Sequence, residues 1–340
     1  MKPSLRGLLA VFALVTLLAS PWALAQGTLL NVSFDVSREF YREINAAFVA
    51  QQQQQQQQQR GAPELRIDMS HAGSSAQARA VADGLHADVV SMNTITDIDF
   101  LVSRGVVAPD WRQRFPHQAV PTTSTMLFLV RQGNPKNIRD WSDLIRPGVQ
   151  VVVVNPRTGG NGRMAYLAAW GYVRSKGGSD ADAAAFVRQL YRNVPVLARG
   201  GRDATGVFLQ RNIGDVLITF ESEVIAVERE FGVGRVDVVH PSVSLLTENP
   251  VALVERTVSQ RGSRELATAY LNFLYSEQGQ EIAARHHFRP RNPEVLRRHA
   301  QTLRPMRLFT VEQYFGSWAE AQRVHFNDGG SFDQIFEGRR

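Results

Sequence analysis

Short β-branched or apolar runs alternate with helix-length segments along most of this chain, and that alternation restricts the fold more than any other feature. Residues 29–34, 65–70, 89–92, 149–155, 194–197 and 215–220 read as strands. Residues 37–50, 75–84, 163–175, 180–192 and 204–210, lying between them, read as helices. Strands separated by helices imply parallel sheets covered on both faces, an α/β fold. Residues 264–287, 293–301 and 311–326 turn helical, while 123–131 and 250–255 read as extended crossings. Two crossings between two α/β lobes predict a hinged molecule, with hinges near 124–128 and 251–254. The division expected is 26–123 plus about 250–340 for the first lobe and 124–249 for the second, with the C-terminal helices not allocated between them.

Residues 1–25 stand outside this pattern. Lys2 and Arg6 precede an almost wholly apolar stretch from residue 8 to 18, and Ala23-Leu24-Ala25 is a small-residue cleavage motif. These are the parts of a secretory signal, too short to span a bilayer. Cleavage after Ala25 predicts export to the periplasm and leaves 315 of the 340 residues. With no cysteine there is no lipoprotein anchor, disulfide or thiolate chemistry, so core burial stabilises the chain. The formal charge of +6 falls to +4 without Lys2 and Arg6, and the charges are scattered with alternating sign. Such a pattern suits attraction of small anions and argues against nucleic acid. Nine glutamines, Gln51 to Gln59, follow the helical spacing of Phe40, Ile44 and Phe48 and are expected to extend that helix or fray at the surface.

Four strand-to-helix turns share one chemistry: "SFDVSRE" around Asp35, "SHAGSSAQ" around Ser74, "NPRTGGNGR" around Thr158, Gly159, Gly160 and Asn161, and "LARGGRDATG" around Gly201. Each presents free backbone N–H groups at the positive end of a helix dipole, and glycine allows close approach to a ligand. In open α/β sheets these turns lie at the carboxyl ends of the strands, where ligands bind. A charged acceptor gains about 1.5–3 kcal/mol per hydrogen bond, so five amides supply about 8–15 kcal/mol. Micromolar binding needs about 8 kcal/mol. No lysine counter-ion is required.

The stretches "LLNVSFDVSREFY", "SHAGSSAQ", "TSTMLFLVRQGNPKNIRDWSDLIRPGVQVVVVNPRT", "YLAAWGY", "GDVLITFESEV", "YLNFLYSEQGQEIAA" and "FGSWAEAQRVHFNDGGSFDQI" resemble the periplasmic sulfate- and thiosulfate-binding proteins of ABC transporters, in one register from about Leu29 to Phe336. The resemblance implies a type II periplasmic-binding fold, with a dianion held between the lobes mainly by backbone amides and delivered to membrane permease subunits. It implies donors at the amides of Asp35, Ser74, Gly160, Asn161 and Gly201, with the Ser74 hydroxyl as a further candidate. Two positions depart from the sulfate-binding pattern: Gly159 stands where many members carry a serine, and Phe220 where they carry a tryptophan. Thr158 is a candidate replacement hydroxyl, and Phe220 is similar to the thiosulfate-leaning branch.

A monomeric receptor with no cofactor, metal site or chemical step is therefore expected. The alternatives are an exported hydrolase of sulfate or phosphate esters, using Ser74 with His71, and a phosphate or molybdate receptor. Hydrogen phosphate carries a proton and needs an acceptor, for which Asp35 is the nearest candidate and Asp203 a more distant one.

Overall fold

A computed structural model describes residues 27–56 and 65–337. The signal sequence and the last three glutamines lie outside the described residues. Strands β1 (Thr28–Phe34), β2 (Arg66–Ala72), β3 (Val89–Ser91) and β10 (Val251–Leu253) form a first sheet in the order β10-β3-β1-β2. Strand β1 pairs in parallel with β2 and β3, while β10 joins antiparallel, with Val251 opposite Ser91. Helices α1 (Arg38–Gln56), α2 (Ser74–Ala82) and α3 (Ile95–Ser103) separate these strands. Helix α1 does continue into the glutamine run as expected.

After a helical turn α4 (Pro116–Ala119), β4 (Thr122–Arg131) crosses to a second sheet, where it pairs antiparallel with β7 (Val216–Phe220), β8 (Val236–Val239) and β9 (Ser244–Asn249). Strands β5 (Val151–Val154), β6 (Leu197–Ala198) and β7 run parallel and are linked by helices α5 (Gly160–Ser175), α6 (Asp180–Arg192) and α7 (Gly201–Leu209). The four valines of β5 are fully buried, as a strand covered on both faces requires. Helix α8 (Glu223–Phe231) joins β7 to β8. The chain then returns through β9, Pro250 and β10, so the two crossings lie side by side, Thr122 opposite Asn249.

Three helices, α5, α7 and α2, begin one to three residues earlier than expected, at the cradle residues themselves. Glycine is a poor interior helix residue, which pushed the expected starts downstream. In the first turn the N–H groups have no intrahelical partner, so glycine costs little there. The 264–287 stretch divides into α9 (Glu255–Arg261), which begins upstream, α10 (Arg264–Phe273) and α11 (Glu277–Arg285). The break before α11 is made by Ser276, whose hydroxyl accepts the Gly279 N–H at 3.1 Å.

The C-terminal region does not return wholly to the first lobe. After β11 (Arg289–Pro290), which pairs antiparallel with β4, and α12 (Pro293–Arg298), β12 (Leu308–Phe309) pairs with β9 of the second sheet. Beyond it come α13 (Val311–Phe315), which packs on α5, α14 (Trp318–Ala321), which touches α3 of the first lobe, a π-helical turn (Gln322–Phe326), and α15 (Ser331–Glu337), which packs on α6. The rings of His325 and Phe332 stand edge-on to the buried Tyr166, and Arg157 pairs with Asp333. Residues 308–337 thus lie mainly on the second lobe, with α14 reaching α3 of the first. Aromatic burial, which the helical pattern of the segment could not locate, decides this.

Candidate anion-binding site

Strands β1, β2, β5 and β6 all end on the edges that face each other between the sheets, and each delivers one of the four turns. Helices α2, α5 and α7 have glycine N-caps, Gly73, Gly159 and Gly200, with no side-chain capping bond. Among the described residues the N–H groups of Ser74, Gly160, Asn161 and Gly201 make no hydrogen bond to main chain or side chain. Three helix dipoles therefore present unsatisfied donors, a ready arrangement for an anion.

Close approaches show that the turns meet. A Cβ added to Gly201 would lie 2.6 Å from Val36 Cγ1 of the first lobe, and 3.6 Å from both Asn161 Nδ2 and Asp35 Oδ1. A Cβ on Gly160 would come within 2.1 Å of Asn93 Oδ1, and one on Gly73 within 3.1 Å of the Thr158 carbonyl oxygen. Side chains at these glycines would hold the lobes apart. Phe220 is buried, its ring centroid 6.5 Å from that of Phe34, the residue before Asp35.

The carboxylate of Asp35 accepts the N–H of Val36 at 3.0 Å and, across the cleft, the N–H of Arg202 at 3.2 Å. Burial raises its pKa, opposed by those two amides and the Arg202 charge. Each carboxylate oxygen thus already accepts one main-chain N–H. Arg202 itself turns outward to Glu39 at 2.5 Å and Glu230 at 3.3 Å, with Glu223 Oε1 at 3.7 Å. Arg163 donates to the Pro156 carbonyl and to Thr96, and lies 4.0 Å from Asp97. The two arginines that follow the turns are therefore engaged by carboxylates, a hydroxyl and a carbonyl.

Both expected hydroxyl donors are spent. The Ser74 hydroxyl donates to Asp97 Oδ2 at 2.6 Å, because that buried carboxylate needs a donor more than the cleft does. The Thr158 hydroxyl donates to main-chain carbonyls, Arg199 at 2.9 Å or Asn155 at 3.2 Å, tying two turns of the second lobe together. The Gly159 N–H is bonded to the Asn155 carbonyl at 3.2 Å. Thr158, Gly159 and the Ser74 hydroxyl thus all make bonds within the protein.

His71 and Ser74 do not pair. The His71 Nδ1 bonds the Ser33 hydroxyl at 2.7 Å, and burial pushes its pKa down to about 4. Two residues escaped sequence reasoning, Asn93 and Asp97. Both follow β3, which ends in "SMNTITD" without the glycine that marked the other turns.

A sequence model of the bacterial extracellular solute-binding proteins matches residues 32–289. The chain is 52% identical over 309 residues to a thiosulfate-binding protein of Pseudomonas aeruginosa, covering 91% of this chain and 92% of that one. It is 45% identical over 308 residues to a sulfate-binding protein of Escherichia coli, covering 90% and 92%. Among solved structures, the sulfate-binding protein SubI of Mycobacterium tuberculosis is similar at a TM-score of 0.79 and 34% identity, covering 88% of this chain and 99% of that one.

Proposed function

This chain belongs to the bacterial extracellular solute-binding proteins, and from that premise we propose that it is a periplasmic receptor for thiosulfate and sulfate serving an ABC transporter. One observation carries the reading. Three helices open on uncapped glycines with free first-turn N–H groups, and the glycines of these turns stand close to Val36, Asp35, Asn93 and the Thr158 carbonyl across the lobes. Main-chain amides of Asp35, Ser74, Gly160, Asn161 and Gly201 are the proposed ligands. They hold a dianion without a buried counter-charge, so release to a permease breaks no ion pair. The lobes close about the paired crossings β4 and β9–β10, and the receptor acts as a monomer, exported with cleavage after Ala25.

Two features favour a fully deprotonated tetrahedral anion over hydrogen phosphate. The site is rich in donors, and the Asp35 carboxylate is occupied by amides. An unmatched phosphate proton would cost several kcal/mol, on the order of a lost charged hydrogen bond. Phe220 favours thiosulfate among the deprotonated anions. An apolar ring tolerates a large, soft sulfur that accepts hydrogen bonds poorly, and it has no indole N–H for a fourth oxygen. The separate bonding of His71 and Ser74 leaves no nucleophile–base pair, and no chemical step is part of the reading.

Calorimetric titration of thiosulfate, sulfate, molybdate and phosphate into ligand-free protein tests this. Thiosulfate and sulfate should bind at micromolar or better, with phosphate far weaker. Phosphate binding as tight as sulfate near neutral pH would refute the donor-only site.

A further inference from the structure

We propose that the Asn93 carboxamide is an additional ligand, donating an N–H from the first lobe to an oxygen of the dianion above the α5 N-terminus. The inference rests on the receptor reading and adds to it a side-chain donor outside the four turns.

Asn93 is 3% exposed, yet its side-chain oxygen is buried with no donor among the described residues. Buried polar atoms without partners are uncommon, and each calls for an explanation. This one is aimed at the first turn of α5, since it occupies the volume into which a Cβ at Gly160 would project. A half-turn of the carboxamide exchanges oxygen for NH2 without moving any other atom, presenting two N–H donors to the same space. The protein itself offers the oxygen end no partner, whereas a dianion would accept from the NH2 end.

The backbone of Asn93 is held firmly enough to make this a positioned donor. Its own N–H donates to Ser74 Oγ at 3.2 Å, and that hydroxyl donates onward to Asp97 at 2.6 Å. The preceding N–H, of Met92, bonds the Pro250 carbonyl at 2.9 Å, within the return crossing. Asn93 is thus fastened both to the α2 cradle and to the segment about which the lobes close. The Asn161 oxygen is likewise buried without a donor among the described residues, but its Nδ2 donates to Thr219 Oγ1 at 3.3 Å, a bond that Asn93 lacks and that keeps the Asn161 oxygen end an acceptor.

The donor inventory points the same way. The Ser74 and Thr158 hydroxyls are spent, Gly159 has no side chain, and Phe220 has no N–H. The second lobe therefore brings no free side-chain donor from these positions. Asn93, on the facing wall, is a side chain with an unmatched polar end at the cradle.

The test is calorimetric titration of thiosulfate, sulfate and phosphate into wild type, Asn93→Ala and Asn93→Asp, with ligand-free thermal midpoints alongside. Loss of one hydrogen bond to a charged acceptor predicts about a tenfold to hundredfold weaker thiosulfate and sulfate affinity for Asn93→Ala. Asn93→Asp keeps the shape but carries a negative charge and no N–H, and should bind more weakly still. It also decides the matter if the alanine variant does not fold. Either folded variant binding within twofold of wild type overturns the assignment. So does tight phosphate binding in wild type that Asn93→Ala abolishes, because the oxygen would then face the ligand. Wild-type protein that binds none of these anions refutes the receptor reading and this inference together; wild type that binds, with variants that match it, refutes the inference alone.

Discussion

Phe220 and Glu223 sit three residues apart in "TFESE" and act by different physics. At Phe220 the issue is donor supply. Phe220→Trp introduces an indole N–H next to Phe34 and the Asp35 turn, and the sulfate-to-thiosulfate affinity ratio should rise about tenfold, the worth of one hydrogen bond to a charged acceptor. The larger ring must fit against Phe34, so about 1–3 kcal/mol of stability is the expected cost. An unchanged ratio would mean that the side chain does not reach the anion. Glu223 is fully buried; its Oε1 accepts the Thr205 hydroxyl at 2.9 Å, while Oε2 has no partner among the described residues. Burial pushes its pKa up to about 7, opposed by Arg202. The unfolded chain then loses this proton at lower pH than the folded one, so folding stability declines as pH rises from about 4.5 to about 7. Full ionisation costs at most about 3 kcal/mol. Glu223→Gln should remove that decline, seen as a smaller stability difference between pH 5 and pH 8 in urea titrations.

At the scale of elements, the helix N-termini carry the argument. A helix start normally takes a Ser, Thr, Asp or Asn cap, worth about 1 kcal/mol. Ser179 and Asn292 do this for α6 and α12. Helices α2, α5 and α7 forgo it, which leaves their first N–H groups for something else. Gly201 shows the geometric side of the same choice. A methyl there would press on Val36 Cγ1, a contact made only when the lobes meet. Gly201→Ala should therefore fold with a near-normal ligand-free thermal midpoint while losing about tenfold or more in anion affinity. A wild-type titration curve for this variant would show that the lobes need not approach so closely. The glycine pairs were legible as turns, but not the helix starts, because a propensity scale weighs glycine as an interior residue.

For the whole molecule, closure is a balance between lobes, and the ion pair of Arg202 with Glu39 spans the cleft at 2.5 Å. Both side chains are partly exposed, which limits such a pair to about 0–1 kcal/mol. Glu39→Gln should accordingly speed ligand release only a few-fold in stopped-flow measurements. The difference should fade between about 0.01 and 1 M salt as screening increases. A release rate that does not change at low salt would place the latch elsewhere, for instance at the Arg229 to His286 contact of 3.2 Å.

Local chemistry sufficed to predict the α/β alternation, both crossings and all four turns, because hydrophobic period and glycine placement act over a few residues. Only the folded chain decided how side chains were spent. Asp97 takes the Ser74 hydroxyl, Arg199 takes that of Thr158, and the aromatic cluster at Tyr166 draws residues 308–337 onto the second lobe. Asn93 carries no local signature either. Its partner space exists because two lobes, distant in sequence, bring residue 93 against residue 160, and a hydrogen bond is assigned by proximity in space.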